Sequence, residues 1–106
     1  MTADGDVFTA LADPTRRHVL QALVRGGPST ATALAARLPV SRQAVGKHLG
    51  VLERAGLVHA RRVGRESRYV PQTAPLATAA SWLTVLATEW DDRLARIAVL
   101  AEDPDA

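Results

Sequence analysis

One stretch constrains this chain more than any other: Pro39 to Val58, PVSRQAVGKHLGVLERAGLV. Pro39 closes the segment before it and Gly56 stops the pattern after it, so one helix must fit between them. Ser41 is placed to cap its N-terminus. Ala44, Val45, Leu49, Leu52 and Ala55 fall at helical intervals and form one apolar face. The other face carries Arg42, Gln43, Lys47, His48 and Arg54. A core can hold the first face while the second is pressed into a groove. The major groove of duplex DNA, about 12 Å wide, admits one helix.

The charge distribution supports a polyanionic partner. The formal net charge is only +2, but residues 41–70 hold seven Lys or Arg against two acids, a local net of +5. Residues 75–106 hold two Arg against six acids, a net of −4. A basic middle beside an acidic end places the footprint on one face. A solvated charged surface is the plainer alternative; the basic cluster's position on and just after the amphipathic helix favours DNA.

The segments before the helix read as three shorter ones. Residues 6–12 begin a helix with Phe8 and Leu11 turned inward. Asp13 caps a second helix, about Thr15 to Val24, with Pro14 at its first turn and Val19, Leu20 and Leu23 inside. Gly26-Gly27-Pro28 ends it. Arg16 and Arg17 stand in its first turn, unfavourably for the helix dipole; they are either solvated or one of them touches a phosphate. Ser29 or Thr30 caps a third helix, ATALAARL, burying Ala33, Leu34 and Leu38. A tight turn at Pro39-Val40 then leads into the basic helix, which is the helix-turn-helix arrangement. Gly46 is unfavourable inside a helix by roughly 0.5–1 kcal/mol; it either admits a close approach of DNA or is tolerated drift.

Residues 57–70 predict a hairpin. Val58, Ala60 and Val63 alternate with His59, Arg61 and Arg62, Gly64-Arg65-Glu66 turns, and Ser67 to Val70 returns. Such a hairpin is a wing, whose Arg61, Arg62, Arg65 and Arg68 can reach backbone phosphates or the minor groove. Glu66 reads as a charge partner within the loop. Pro71 to Pro75 is a linker. A long helix comes next, from Leu76 to Ala101. Its Leu76, Ala80, Leu83, Leu86, Trp90, Leu94, Ile97 and Ala101 fall at steps of three and four, with Trp82, Val85 and Leu100 beside them. One small domain cannot cover so much apolar surface, so Leu83, Leu86, Trp90, Leu94 and Ile97 are expected at a two-fold homodimer interface; the alternative for Trp82 and Trp90 is internal packing. The expected fold is mainly α with a small β-hairpin, in the order α-α-α-α-β-β-α, as a single domain over 1–106 whose segment 75–101 is the dimerisation helix.

Other chemistries find no support. The chain has no cysteine, which excludes disulfides, thiolate metal sites and cysteine nucleophiles. His18, His48 and His59 lack a second ligand at helical spacing, so neither a metal nor a cofactor is expected. No phosphate-loop, dinucleotide, zinc-protease or nucleophile-elbow motif occurs. Asp91 and Asp92 adjoin on a helix and point different ways, and Ser41 and Ser81 have no evident base, so no enzyme is expected. No run approaches the roughly 20 apolar residues of a membrane helix, and the start, MTADGDVFTA, lacks the form of a signal peptide; a cytoplasmic protein is expected.

Three runs, ALADPTRRHVLQAL, LAARLPVSRQAVGKHLGVLERAGLV and RRVGRESRYV, occur in order at family spacing. Together they make the chain, over about residues 7–100, closely similar to the ArsR-type winged helix-turn-helix transcriptional regulators. The resemblance implies a homodimeric repressor, bound to a palindromic duplex operator near its own or a neighbouring promoter and released by an effector. It implies a base-reading surface at Ser41, Arg42, Gln43, Ala44, Lys47 and His48 and a wing over Arg61 to Tyr69. Gly46 departs from the family, which commonly has a serine there, so one hydroxyl contact is missing. The metal-sensing branches carry cysteines at positions matching about Ala31 to Ala33, or Asp and His pairs on the last helix, and both patterns are absent. Trp82-Leu83 and Trp90-Asp91-Asp92-Arg93-Leu94 resemble a branch that generally does not sense metals. The effector, whether an organic molecule, a partner protein or none, is open. The rival function is a DNA-architectural or protein-interaction module of low specificity on the same fold.

Overall fold

The computed structural model of the chain describes residues 3–102. Seven elements succeed one another: α1 (Ala3–Leu11), α2 (Pro14–Gly26), α3 (Ala31–Arg37), α4 (Arg42–Arg54), β1 (Val58–Val63), β2 (Glu66–Pro71) and α5 (Ala74–Glu102). This is the mainly helical winged helix-turn-helix order read from the sequence. The core gathers at the junction of all of them. Val7 and Ala10 of α1, Val19 and Leu23 of α2, Leu34 of α3, Val45, Leu49 and Leu52 of α4, and Leu57 with Val58 at the start of the hairpin are buried together.

Local chemistry sets the helix ends. The Asp13 carboxylate accepts from the Arg16 backbone N–H at 3.1 Å, and Thr30, not Ser29, caps α3 by accepting from Ala33 N–H. Ser41 caps α4, its Oγ accepting from Ala44 N–H at 3.1 Å. Beyond α4, Gly56 takes φ 76°, Gly56 N–H donates to Glu53 O, and Leu57 N–H donates to Leu52 O at 2.9 Å. This pair of bonds satisfies the last carbonyls of α4 and puts Leu57 beside Leu52, both fully buried. The turn that ends α4 thereby aims the chain into β1.

β1 and β2 pair antiparallel, from Val58↔Pro71 to Val63↔Glu66. Gly64 has φ 62° and Arg65 does not share a positive φ, and the two residues close a tight two-residue hairpin turn. The predicted three-residue turn is therefore one residue too long, and β2 begins at Glu66. Only Val58 of β1 is buried; Ala60 and Val63 are exposed, so β1 runs away from the core while Tyr69 of β2 packs against it. The backbone adds a second anchor. Tyr69 N–H donates to Ser29 O at 2.8 Å and Ser29 N–H returns to Tyr69 O at 3.2 Å, tying the hairpin to the segment before α3.

Other expectations are corrected by packing. Phe8 is 36% exposed, and Val7 and Ala10 fill the core from α1 instead. Phe8 lies against Trp82 at the surface, ring centroids 5.7 Å apart. Ala33 of α3 is exposed, leaving Leu34 as its buried residue. The linker is reduced to Gln72-Thr73, because β2 extends to Pro71 and α5 starts at Ala74. On α5 Ala79 is buried in the core and Leu76 packs against it, while Ala80 is exposed. Beyond Trp82 the residues of α5 are all exposed, and the chain measures 74 × 27 × 23 Å along its principal axes.

Arg16 and Arg17 have a role that neither sequence reading supplied. Arg16 Nε donates to Ala10 O at 2.7 Å and its Nη2 to Thr9 O at 3.2 Å, while Arg17 Nη1 donates to Leu11 O at 2.6 Å. Both cations sit on the carbonyl end of α1, where orphan acceptors and the negative dipole end favour them. That offsets their poor position at the start of α2.

Two measurements check these local assignments. A Cβ at Gly46 meets nothing within 4 Å, so Gly46→Ala should raise unfolding stability by roughly 0.5–1 kcal/mol in urea denaturation at fixed chain concentration. No gain would contradict a regular, unobstructed helix at Gly46. The Arg16 backbone N–H holds the Asp13 carboxyl below its ordinary 3.8. The charged cap therefore stabilises the fold fully above that pH and loses its contribution as pH falls through the lower native value. Asp13→Asn caps without titrating, so the wild-type advantage over this variant should shrink on acidification below pH 3.8; an advantage independent of pH contradicts the charged cap.

Candidate nucleic-acid interface

α4 is held on one side and free on the other. Val45, Leu49 and Leu52 are fully buried against α1, α2, α3 and β1, while Arg42, Gln43, Gly46 and Lys47 are exposed. The exposed surface starts at the Ser41 cap, so the residues of the first two turns project from the end of the helix nearest α3. Gly46 and Gly50 lie one turn apart, and a Cβ at Gly50 would meet only the end of Arg54 at 3.5 Å. Nothing within the chain requires either glycine.

The predicted base-reading residues do not all face out. Gln43 and Lys47 are exposed with no hydrogen bond of their own to the rest of the chain among those described. Ala44 and His48 are half-buried at the edge of the apolar face. Ser41 is exposed, with its hydroxyl oxygen engaged in the cap. Arg42 turns toward α3, where its Nε donates to Thr32 Oγ1 at 2.9 Å.

The wing arginines are split among three directions. Arg61 and Arg68 are cross-strand partners on one face of the hairpin. Like charges placed so are repulsive within the fold, and Glu66 offsets this only through a long, exposed contact to Arg68 at 3.9 Å. Arg62 and its partner Ser67 are on the other face, turned toward α3, with Arg62 Nε donating to Gly64 O at 3.2 Å. Arg65 is exposed at the tip. A repulsive basic pair on a weakly buried hairpin is stabilised by bringing an anion to it.

Sequence reasoning missed the Thr32–Arg42 bond and the Ser29–Tyr69 bridge. The first had a faint signal, since Thr32 is a hydroxyl residue that precedes α4 by about one short helix. The second had none, because a single pair of backbone bonds leaves no periodicity. Among the described residues there is no group of three or more His, Asp or Glu arranged to hold a metal ion. No described helix is long and apolar enough to cross a membrane.

Comparison with known proteins agrees with this geometry. The family described as Helix-turn-helix domain matches residues 11–61. The chain is 32% identical over 89 residues to the transcriptional repressor SdpR of Bacillus subtilis, covering 84% of this chain and 98% of that protein. Among solved structures, an ArsR-like transcriptional regulator from Rhodococcus sp. RHA1 superposes with a TM-score of 0.82 at 46% identity, over 93% of this chain and 92% of the other. The homodimeric winged helix-turn-helix DNA-binding domain of Mycobacterium bovis, a possible ArsR-family regulator, superposes with a TM-score of 0.65 at 28% identity, over 82% and 80%. With its element order, its capped and exposed basic helix and its arginine-bearing wing, the chain belongs to the ArsR-like winged helix-turn-helix transcriptional regulators.

Proposed function

We propose that this sequence-specific DNA-binding regulator acts as a homodimeric repressor on a palindromic duplex operator. The observation that carries the reading is the pairing of opposite demands on α4: a fully buried inner face fixes its position, and an exposed basic and amide-bearing outer face is left for a groove. Gln43 and Lys47 read base edges from α4, with Ser41, Ala44 and His48 bordering the contact. Arg61, Arg62, Arg65 and Arg68 hold the backbone or a narrow minor groove from the wing. Repression is supported by the likeness to a transcriptional repressor.

The dimer is assigned to α5, over residues 75–101, within a single domain. Leu83, Leu86, Trp90, Leu94 and Ile97 are each about half exposed, with Trp90 at 57%, on a helix that stands clear of its own core. A second copy related by a two-fold axis covers this stripe and sets two α4 helices for successive major-groove faces, about 34–36 Å apart. Sedimentation should give about twice the 11.3 kDa chain mass at micromolar concentration. Leu86→Ala and Trp90→Ala should each weaken pairing by about 2–5 kcal/mol. A wild-type chain that sediments as a monomer at every salt concentration contradicts the assignment.

The division of labour between helix and wing is testable by fluorescence anisotropy on operator and unrelated duplexes. The amide of Gln43 donates and accepts, as bidentate reading of adenine requires. Gln43→Ala should weaken operator binding by about 1–3 kcal/mol and unrelated DNA much less. Arg65→Ala should weaken both duplexes alike and lower the slope of log affinity against log salt by about two units per dimer, one for each lost phosphate contact. Equal losses on both duplexes for Gln43→Ala contradict base reading there. A wild-type protein that binds both duplexes equally is a low-specificity architectural module.

A further inference from the structure

Arg42 belongs to a different constellation from its neighbours on α4. The space between α3, the first turn of α4 and the wing is a groove of about 680 Å³, lined by Thr32, Arg42, Arg62, Arg65 and Ser67 among others. Gln43 and Lys47 do not line it. Three arginines, from α4, β1 and the hairpin turn, therefore line one open groove, together with the hydroxyl-bearing Thr30, Thr32, Ser67 and Tyr69. Its one carboxylate, that of Glu66, lies 3.9 Å from Arg68. Alanines 31, 33 and 36 form part of the α3 wall and leave it open.

The Thr32 hydroxyl fixes how Arg42 enters this space. With Nε bonded to Thr32 Oγ1 at 2.9 Å, the Nη1 and Nη2 groups form the end left for a ligand. A planar fork with two free donors, beside two more permanent cations, matches the oxygens of one phosphate. A base edge needs a side chain aimed with Gln43 and Lys47, and Arg42 is tied toward α3.

We propose that Arg42, positioned by Thr32, grips an operator phosphate together with Arg62 and Arg65 and reads no base. This rests on the duplex-binding reading of the protein. Thr32 is thus a positioning residue for binding, acting through Arg42.

The test uses the full chain as a dimer and two probes: a duplex recovered by selection from a random pool on the wild-type protein, and a scrambled duplex of the same length and composition. Anisotropy titrations at several salt concentrations compare Arg42→Ala, Thr32→Val and Thr32→Ser, with urea midpoints to confirm that each variant folds. Arg42→Ala should weaken both duplexes by the same factor, leave the ratio between them unchanged and lower the salt slope by about one unit per protomer. Thr32→Val keeps the Arg42 charge and loses the hydroxyl; it should weaken both duplexes by equal factors, and Thr32→Ser should restore wild-type affinity. A tenfold or larger fall in the selected-to-scrambled ratio for Arg42→Ala overturns the proposal and makes Arg42 a base reader. Wild-type behaviour of Thr32→Val overturns the positioning role. Both failures leave duplex recognition by the wild type intact, whereas a wild-type protein that favours no duplex overturns the functional reading and this inference with it.

Discussion

Burial of Val45, Leu49 and Leu52 on the inner face of α4 is the constraint on which the rest of the molecule depends. These three side chains meet residues from α1, α2, α3 and the base of the hairpin in one small core. In a chain of 106 residues the core is thin, so each large residue carries much of the stability. Removing the side chain of Leu49 or Leu52 would leave a cavity at the point where the elements meet, at a cost of about 2–5 kcal/mol. Fixing that face also fixes the opposite one. The orientation of Gln43 and Lys47 toward solvent is a consequence of how the other side of the same helix packs.

Arginine does two different jobs in this fold, separated by what each guanidinium can reach. Arg16 and Arg17 lie within 3.2 Å of the α1 carbonyl oxygens of Thr9, Ala10 and Leu11 and hold α1 to α2. Arg61, Arg65 and Arg68 have no such internal acceptors among the described hydrogen bonds, and Arg61 faces Arg68 across the hairpin. A fold that places like charges opposite one another on an exposed ribbon gains from a polyanion laid against it. Glu89, Asp91, Asp92 and Glu102 lie on α5, a different element from the arginine-bearing hairpin, so the field favours one approach.

How much of this was legible in the sequence depends on whether the causes were local. The α4 cap at Ser41, the inner face at Val45, Leu49 and Leu52, and the stop at Gly56 come from adjacent residues and were readable. The order of elements came from the same kind of signal. Phe8 and Leu11 share a helical face, but which face turns inward is set by the tertiary direction of α1, and that puts Val7 and Ala10 inside with Phe8 at the surface. Arg16 and Arg17 looked unfavourable when α2 was considered alone; the α1 carbonyls that explain them are six or seven residues away across a bend. Arg42 is exposed on α4 as Gln43 and Lys47 are, and only the approach of α3 reveals the bond from its Nε to Thr32 Oγ1. Ala79 replaced Ala80 on α5 because the direction from which the helix meets the core, a tertiary feature, decides which alanine is covered.

In the proposed dimer the exposed apolar stripe on α5 sets the spacing at which the outer face of α4 is presented. Selection of binding sites from a pool of random duplexes tests this most directly. The account predicts an enriched palindrome whose half-sites lie about one helical turn apart or a multiple of it, with the enrichment lost when Gln43→Ala replaces the wild type. Enrichment of a single unpaired half-site, or of no sequence at all, would contradict it.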